Sequence, residues 1–364
     1  MAHHTGTINV TPRLLLDVDR LQHNLQRMQT LAERNSVRLR PHIKTAKCAE
    51  IARMATGDTG PLTVSTLAEI DYFRQAGFRD FTYAVGITAE KIDRLAPWLA
   101  EGLHIAVLLD HPETARMVAT RMEALALDID AMIEIDCGAH RGGLAPEDPA
   151  LLETARILHT CPRLNLRGVL THAGHAYHAA DMAALKTSAG QERQSAVQAA
   201  QLLRENDLPC PVVSIGSTPS VLAAGSFEGI NEIRPGVYMF MDLKQASLGI
   251  CARDDIAISV AARIIGHNRH NGQYLVDAGA LALSQDNSQH GYGILAPPHS
   301  GRITAVHQEH GFLEAGASAA PLAIGDRVRI LPNHACMTAA CHDRYHLVKA
   351  GRETGETWER CRGW

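Results

Sequence analysis

Lys44 lies in the run Leu39-Arg40-Pro41-His42-Ile43-Lys44-Thr45-Ala46-Lys47 and closes an alternation in which Val37, Leu39, Pro41 and Ile43 are interleaved with Arg38, Arg40, His42 and Lys44. That alternation has the period of a β-strand, so Lys44 is expected on one face with His42, Arg40 and Arg38. Neighbouring positive charge disfavours an ammonium ion, and a lysine that gives up its proton readily is suited to Schiff-base chemistry. A solvated, basic strand edge has the same pattern. A second pair, His334 and Cys336 in Pro332-Asn333-His334-Ala335-Cys336, offers an imidazole and a thiolate, donors suited to Zn²⁺. On an extended segment the two would share a face about 7 Å apart. Two protein ligands leave positions open for water or substrate, as a catalytic zinc requires. Cys341, His342 and Glu309-His310-Gly311 are further polar groups in the same region, without an assigned role.

Such groups need rigid elements to hold them. Short apolar runs at 37–44, 62–65, 81–85, 104–109, 131–136, 166–172, 212–216 and 232–235 alternate with helix-length segments. Eight strands alternating with helices predict a (β/α)8 TIM-like barrel. An open doubly wound sheet would carry G-x-G-x-x-G after its first strand. The nearest match, Gly291-Tyr292-Gly293 with Ala296, is followed by two prolines and opens no helix. Thr11 to Asp17 reads as a strand, and Asp19 as the cap of a helix carrying Leu21, Leu25, Met28 and Leu31 to near Asn35. From Gln245 onward, short alternating segments at 256–265, 273–276, 301–306, 327–331 and 345–348 are broken by Gly, Asn and Pro turns, the texture of an all-β domain. The expected division is a barrel over 17–242 and a β-domain over 243–364 carrying the metal pair, with an N-terminal strand within 1–16 joining the β-domain.

In such a barrel functional groups gather at the C-terminal strand ends, and phosphate often binds after strands seven and eight. The seventh run ends Ser214-Ile215-Gly216-Ser217-Thr218-Pro219 and the eighth Ile233-Arg234-Pro235-Gly236-Val237-Tyr238. Small residues there allow backbone N–H groups to point at an anion. The fifth run leads into Asp136-Cys137-Gly138-Ala139-His140-Arg141, whose arginine can meet a phenolate or carboxylate bidentately. The sixth leads into Thr171-His172-Ala173-Gly174-His175-Ala176-Tyr177, which offers His172 and Tyr177 as flat rings for stacking on an aromatic cofactor. Each turn alone is ordinary loop chemistry. Together with Lys44 they point to an aldehyde cofactor that bears a phosphate.

Composition excludes other classes. With 364 residues and a net charge of −4 the chain has no basic footprint for nucleic acid. No apolar run approaches the roughly 18 residues of a membrane span. The opening residues 1–6 lack an apolar signal core, so a cytoplasmic protein is expected. Eight cysteines without a C-x-x-C pair are expected to be reduced thiols.

Taken in order, these segments resemble the fold-type III pyridoxal-phosphate enzymes with an alanine-racemase-like barrel. The subgroup is that of D-serine dehydratase, D-threo-3-hydroxyaspartate dehydratase and D-threonine aldolase. The resemblance covers nearly the whole chain: Thr11-Pro12 and 14–17, 40–45, Asp136 with 138–142, 171–175, 216–219, 234–236, Asp277-Ala278-Gly279 with Leu283-Ser284 and Asp286, 309–311, 332–336 and Gly363-Trp364. It implies a cofactor aldehyde carried by Lys44, His172 packed on the pyridine ring, and Arg141 near the phenolic oxygen. Arg234 would face the ring nitrogen, keeping it largely unprotonated and raising the value of help at the substrate β-carbon. Gly216, Ser217, Thr218, Gly236 and Val237 would hold the phosphate. His334 and Cys336 match the metal ligands of the dehydratase branch, whereas the aldolase branch usually has an aspartate at the second position. The family's racemases need a tyrosine shortly before the Ser-x-Asp of the β-domain, and 276–286 contains none. The implied activity is a D-3-hydroxy amino acid ammonia-lyase dependent on zinc or another divalent metal, acting as a homodimer on D-serine or D-threo-3-hydroxyaspartate. A D-threonine-type aldolase is the second expectation. A non-catalytic pyridoxal-phosphate carrier is the third, although such carriers resemble single-domain barrels.

Overall fold

Eight apolar runs pair as parallel strands: Arg38–Leu39, Leu62–Val64, Asp80–Gly86, His104–Leu109, Ile129–Ile135, Leu164–Thr171, Val212–Ile215 and Glu232–Ile233. The computed structural model describes residues 10–316 and 322–364, so residues 1–9, including the opening 1–6 and most of the expected N-terminal strand range, lie outside the described residues. From the second to the eighth, each strand lies beside its neighbours in sequence, and Arg38–Leu39 pairs with Glu232–Ile233. The last seam is a bridge between His42 and Thr63, with Ile43 N–H donating to Thr63 O at 2.9 Å and Thr63 N–H to Pro41 O at 2.9 Å. The result is the expected (β/α)8 barrel. Its strands are short and carry a majority of apolar residues, as parallel strands covered on both faces do; Ile105, Val107, Leu108 and Leu109 are all buried.

The first strand is much shorter than its sequence pattern. Regular pairing stops at Leu39, and Lys44 lies in the turn that follows His42. Pro41 has no N–H to give to the ladder, so the alternation continues past the point where the strand ends. The connecting helices begin where polar residues can accept orphan amides. Thr66 accepts from Glu69 N–H, Asp148 from Ala150 N–H, Asp181 from Ala184 N–H and Ser217 from Ser220 N–H. For Val18–Arg34 the cap is Asp17, which accepts from Arg20 N–H at 3.1 Å. Asp19, the residue expected there, instead accepts from Ala350 N–H at 2.7 Å.

The described structure separates into two units, one of Gln26–Tyr238 with Cys361–Trp364, the other of the chain up to Leu25 with Met239–Arg360. The tail, grouped by its sequence position with the β-domain, falls in the barrel unit because Cys361 N–H donates to Lys47 O at 2.7 Å and its thiol approaches Ala68 O at 3.5 Å. In the other unit, Ile258–His267, Tyr274–Val276, Gly311–Ala315, Gly301–Val306, Ile294–Leu295 and Arg327–Leu331 pair in a closed antiparallel ring. Arg13–Asp17 extends it, antiparallel to Ile258–His267 and parallel to Arg344–Lys349, which pairs in turn with Arg352–Glu359. Leu14, Leu15 and Leu16 are all buried, which anchors that first strand on both faces. The eight cysteines are free thiols. Among the described residues no helix is long and apolar enough to cross a membrane.

Candidate active site

The C-terminal ends of the barrel strands bring Lys44, Glu134, Arg141, His172, Gly216 and Arg234 around one recess. The cations that share Lys44's sequence pattern are compensated elsewhere. Arg40 Nε meets Glu232 Oε2 at 2.8 Å and its Nη1 meets Asp80 Oδ1 at 2.7 Å, while Arg38 meets the other oxygen of Asp80 at 2.9 Å. His42 lies against the recess with its Nε2 3.3 Å from Ser65 Oγ, and burial, then the charge of Lys44, hold it well below its ordinary pKa.

His172 follows the strand Leu164–Thr171. Its Nδ1–H donates to the carbonyl of Gly216, which fixes the tautomer because a carbonyl only accepts. Burial, then the positive charge of Lys44, push its pKa down to about 3, so the ring is neutral at ordinary pH. Arg234 is buried and donates from Nη1 to Ser214 Oγ at 2.5 Å and from Nη2 to Thr171 O at 2.6 Å. Burial pulls it down to about 10, against the raising effect of Glu232 and Glu192, and it remains a cation. Arg141 is more exposed and pairs with Glu134 at 2.9 Å. The loop that presents it is shaped by Asp136, whose Oδ1 accepts from Gly138 N–H at 2.9 Å and His140 N–H at 3.0 Å.

The two turns expected to cradle an anion are close to each other. Thr218 Oγ1 accepts from Tyr238 N–H at 3.1 Å, which ties the turn after the seventh strand to the turn after the eighth. Ser217, Thr218 and Val237 are buried. Neither glycine has room for a side chain: a Cβ on Gly236 would lie 2.7 Å from His42 O, and one on Gly216 about 3.0 Å from the Arg234 backbone. Tyr177 sits in the 3₁₀ turn Gly174–His178, its ring centroid 6.4 Å from that of His172 and tilted by 40°. One residue has no counterpart in the sequence reading. Glu192, inside the helix Met182–Glu205, is fully buried beneath His172 and Gly216 and belongs to no motif.

In the other unit the strand ends at Leu331, and Cys336 lies in the first turn of the helix Ala335–Ala340, with His334 as its N-cap residue. The pair therefore meets across a strand-to-helix turn, not along an extended face, and the Cys336 side chain hydrogen-bonds to His334. Four contacts shape this turn. Asp286 Oδ2 meets His334 Nδ1 at 2.7 Å. Asn333 Nδ2 donates to Asp286 O at 2.8 Å and Gly291 O at 2.6 Å. Buried Asp242 accepts from Ala335 N–H at 2.9 Å. Burial lowers the His334 pKa, but the hydrogen bond and charge of Cys336, with Asp242 and Asp286, raise it to about 9. That negative field favours a cation at the imidazole. Among the described residues no set of three His, Cys, Asp or Glu side chains is gathered for a metal. Glu309-His310-Gly311 lies in and just after the turn joining Gly301–Val306 to Gly311–Ala315, closed by His307 N–H donating to His310 O at 2.8 Å.

The family of the alanine racemase N-terminal domain matches residues 16–244, and that of the putative serine dehydratase domain matches 257–348. D-threo-3-hydroxyaspartate dehydratase of Delftia sp. (strain HT23) is 40% identical over 97% of this chain and 98% of its own length. D-threonine aldolase of Arthrobacter sp is 27% identical over 96% of this chain and 91% of its own. Two solved variants of D-threo-3-hydroxyaspartate dehydratase superpose closely. One replaces a histidine by alanine (TM-score 0.92, 38% identity, 98% of this chain and 96% of that one). The other replaces a cysteine by alanine and is in the metal-free form (TM-score 0.91, 39% identity, 98% of each chain). In that protein the two substituted positions are separated by a single residue.

Proposed function

The chain belongs to the family of the alanine racemase N-terminal domain and is a pyridoxal-phosphate-dependent lyase, and on that premise we propose a zinc-dependent dehydratase of D-3-hydroxy amino acids. Its substrate is D-serine or D-threo-3-hydroxyaspartate, and its products are a 2-oxo acid and ammonia. The observation that carries the reading is the convergence of an amine, a neutral imidazole and a buried guanidinium on one recess beside two turns too tight for side chains.

The residues present fit pyridoxal phosphate. Lys44 Nζ would join its aldehyde, and the neutral faces of His172 and Tyr177 suit its ring. Arg234 has N–H groups left over for the ring nitrogen, and Arg141 for the phenolic oxygen. Backbone and hydroxyl donors at Gly216, Ser217, Thr218, Gly236 and Val237 suit its phosphate. When bound, the cofactor withdraws electrons from the substrate Cα. Lys44 would supply the amine that serves as the base at that Cα–H. Arg234, a permanent cation, gives up no proton to the ring nitrogen, so departure of the β-hydroxyl needs a second electrophile. His334 and Cys336 fit that role: Asp286 holds Nδ1, a metal would take the place of the proton now shared between the imidazole and the Cys336 thiol, and a carboxylate orienting a ligating histidine is a recurrent arrangement. Zinc there would polarise the β-hydroxyl.

Incubation with D-serine, D-threonine and D-threo-3-hydroxyaspartate tests the proposal, with 2-oxo acid and ammonia expected. Glycine and an aldehyde would instead establish the second reading, a D-threonine-type aldolase, which the Arthrobacter relative supports and Cys336 opposes. Replacing Lys44 by Ala is expected to abolish the visible absorbance of the lysine-linked cofactor. Persistence of that band would remove the lysine assignment. The same reading describes a cytoplasmic homodimer, which fractionation and size-exclusion chromatography check.

A further inference from the structure

Glu192 is a wholly buried carboxylate that no step above uses. Its Oε1 accepts from Ala173 N–H at 2.8 Å and Gly216 N–H at 3.1 Å, and its Oε2 accepts from Ser220 Oγ–H at 2.5 Å. Those donors belong to two different loops. Ala173 directly follows His172 after the sixth strand, whereas Gly216 and Ser220 frame the turn after the seventh. The Gly216 peptide neighbourhood is thereby gripped from both sides, its N–H by Glu192 and its carbonyl by His172 Nδ1–H. Ser220 Oγ lies 2.8 Å from Ser217 Oγ, which caps the short helix Thr218–Ala223, so the grip reaches the remainder of the anion-binding turn. Burial pushes the carboxyl pKa up, and the donors oppose that, with Arg234 adding longer-range attraction. A carboxylate in such a place is costly unless its donors are supplied in full.

We propose that Glu192 is a positioning residue coupling the loop that carries His172 to the turn that carries Gly216 and Ser217, so that one side chain sets both the ring end and the phosphate end of the cofactor. This rests on the reading of the recess as a pyridoxal-phosphate site. Loss of the carboxylate leaves two buried amides without an acceptor and lets the two loops shift. Either shift alters what the cofactor meets.

The test strips the full-length protein and titrates it with pyridoxal phosphate, following visible circular dichroism for the ring and the ³¹P resonance for the phosphate. Glu192→Gln keeps an oxygen for both amides, while Ser220 can donate to Ser217 O at 3.2 Å. It is expected to bind within about twofold of wild type, with both signals unchanged. Glu192→Asp withdraws the carboxylate by one methylene and is expected to weaken binding about tenfold, with both signals moving together. A folded Glu192→Asp protein with wild-type affinity, or with only one signal moved, would overturn the coupling. Should that variant fail to fold, Ser220→Ala decides: a paired but smaller shift supports the proposal, and unchanged signals overturn it. A wild-type protein that takes up no pyridoxal phosphate sinks the site reading itself, a separate result.

Discussion

Replacing Gly236 by alanine probes the seam between the eighth strand's turn and the segment carrying Lys44. The added methyl would meet His42 O at 2.7 Å, His42 Cβ at 3.2 Å and Thr45 Oγ1 at 3.3 Å. The first is a backbone atom with no rotamer to change. It cannot retreat freely either, because His42 N–H donates to Pro235 O at 2.9 Å. Gly236 is not among the positive-φ glycines, so the effect is steric and not conformational. Overpacking of this kind costs about 1–3 kcal/mol. Much of it is expected as displacement of residues 42–45, which moves Lys44 off the recess and lowers cofactor occupancy. Urea unfolding followed together with visible absorbance measures both effects. Gly225→Ala, where nothing lies within 4 Å, is the control and is expected to change stability by no more than about 0.5 kcal/mol. A Gly236→Ala protein with wild-type midpoint and full cofactor saturation would refute the reasoning.

Exhaustive chelation is expected to remove most turnover and zinc to restore it, and Asp286→Asn is expected to weaken zinc binding about 10- to 100-fold in competition with a colorimetric chelator; unchanged affinity would exclude Asp286 as the orienting carboxylate. The His172 pKa, lowered to about 3, means that the unfolded chain binds a proton first as pH falls below about 6.5, so stability is lost between those values. His172→Gln is expected to flatten the decline of the unfolding midpoint from about pH 7 to pH 5, though not to abolish it, since His42 titrates in the same sense. An identical slope would count against the burial argument. Gly190→Ala, exposed inside the helix Met182–Glu205 with no neighbour within 4 Å, is expected to stabilise by about 0.5–1 kcal/mol in thermal or urea unfolding.

Three strands were legible to the residue: 104–109 from a continuous apolar run, 301–306 and 327–331 from short alternating segments between turns, all with the limits expected. The strand Arg352–Glu359 was not, because its sequence is polar on both faces and only its pairing with Arg344–Lys349 reveals it. The run at 37–44 misled in the opposite direction, since alternation says nothing of Pro41's missing donor. Lys44, Arg141, His172, Gly216 and Arg234 were singled out from positions at the ends of strand-like runs, whereas Glu134, which lines the same recess, was not. Glu192 could not be, because two of its three partners are backbone amides in other loops, and an amide leaves no mark in a residue pattern.

The carbonyl of Lys47, three residues beyond Lys44, is satisfied by the amide of Cys361. On a ribosome, all eight barrel strands therefore emerge long before the residue that completes the turn around the first of them. A fragment stopping at Tyr238 would hold every strand of the barrel yet lack that last acceptor's partner. Vectorial synthesis thus postpones the finishing of the lysine's surroundings until the strands of the second unit have also been made, and attempts to express the barrel alone should restore residues 361–364 by permutation.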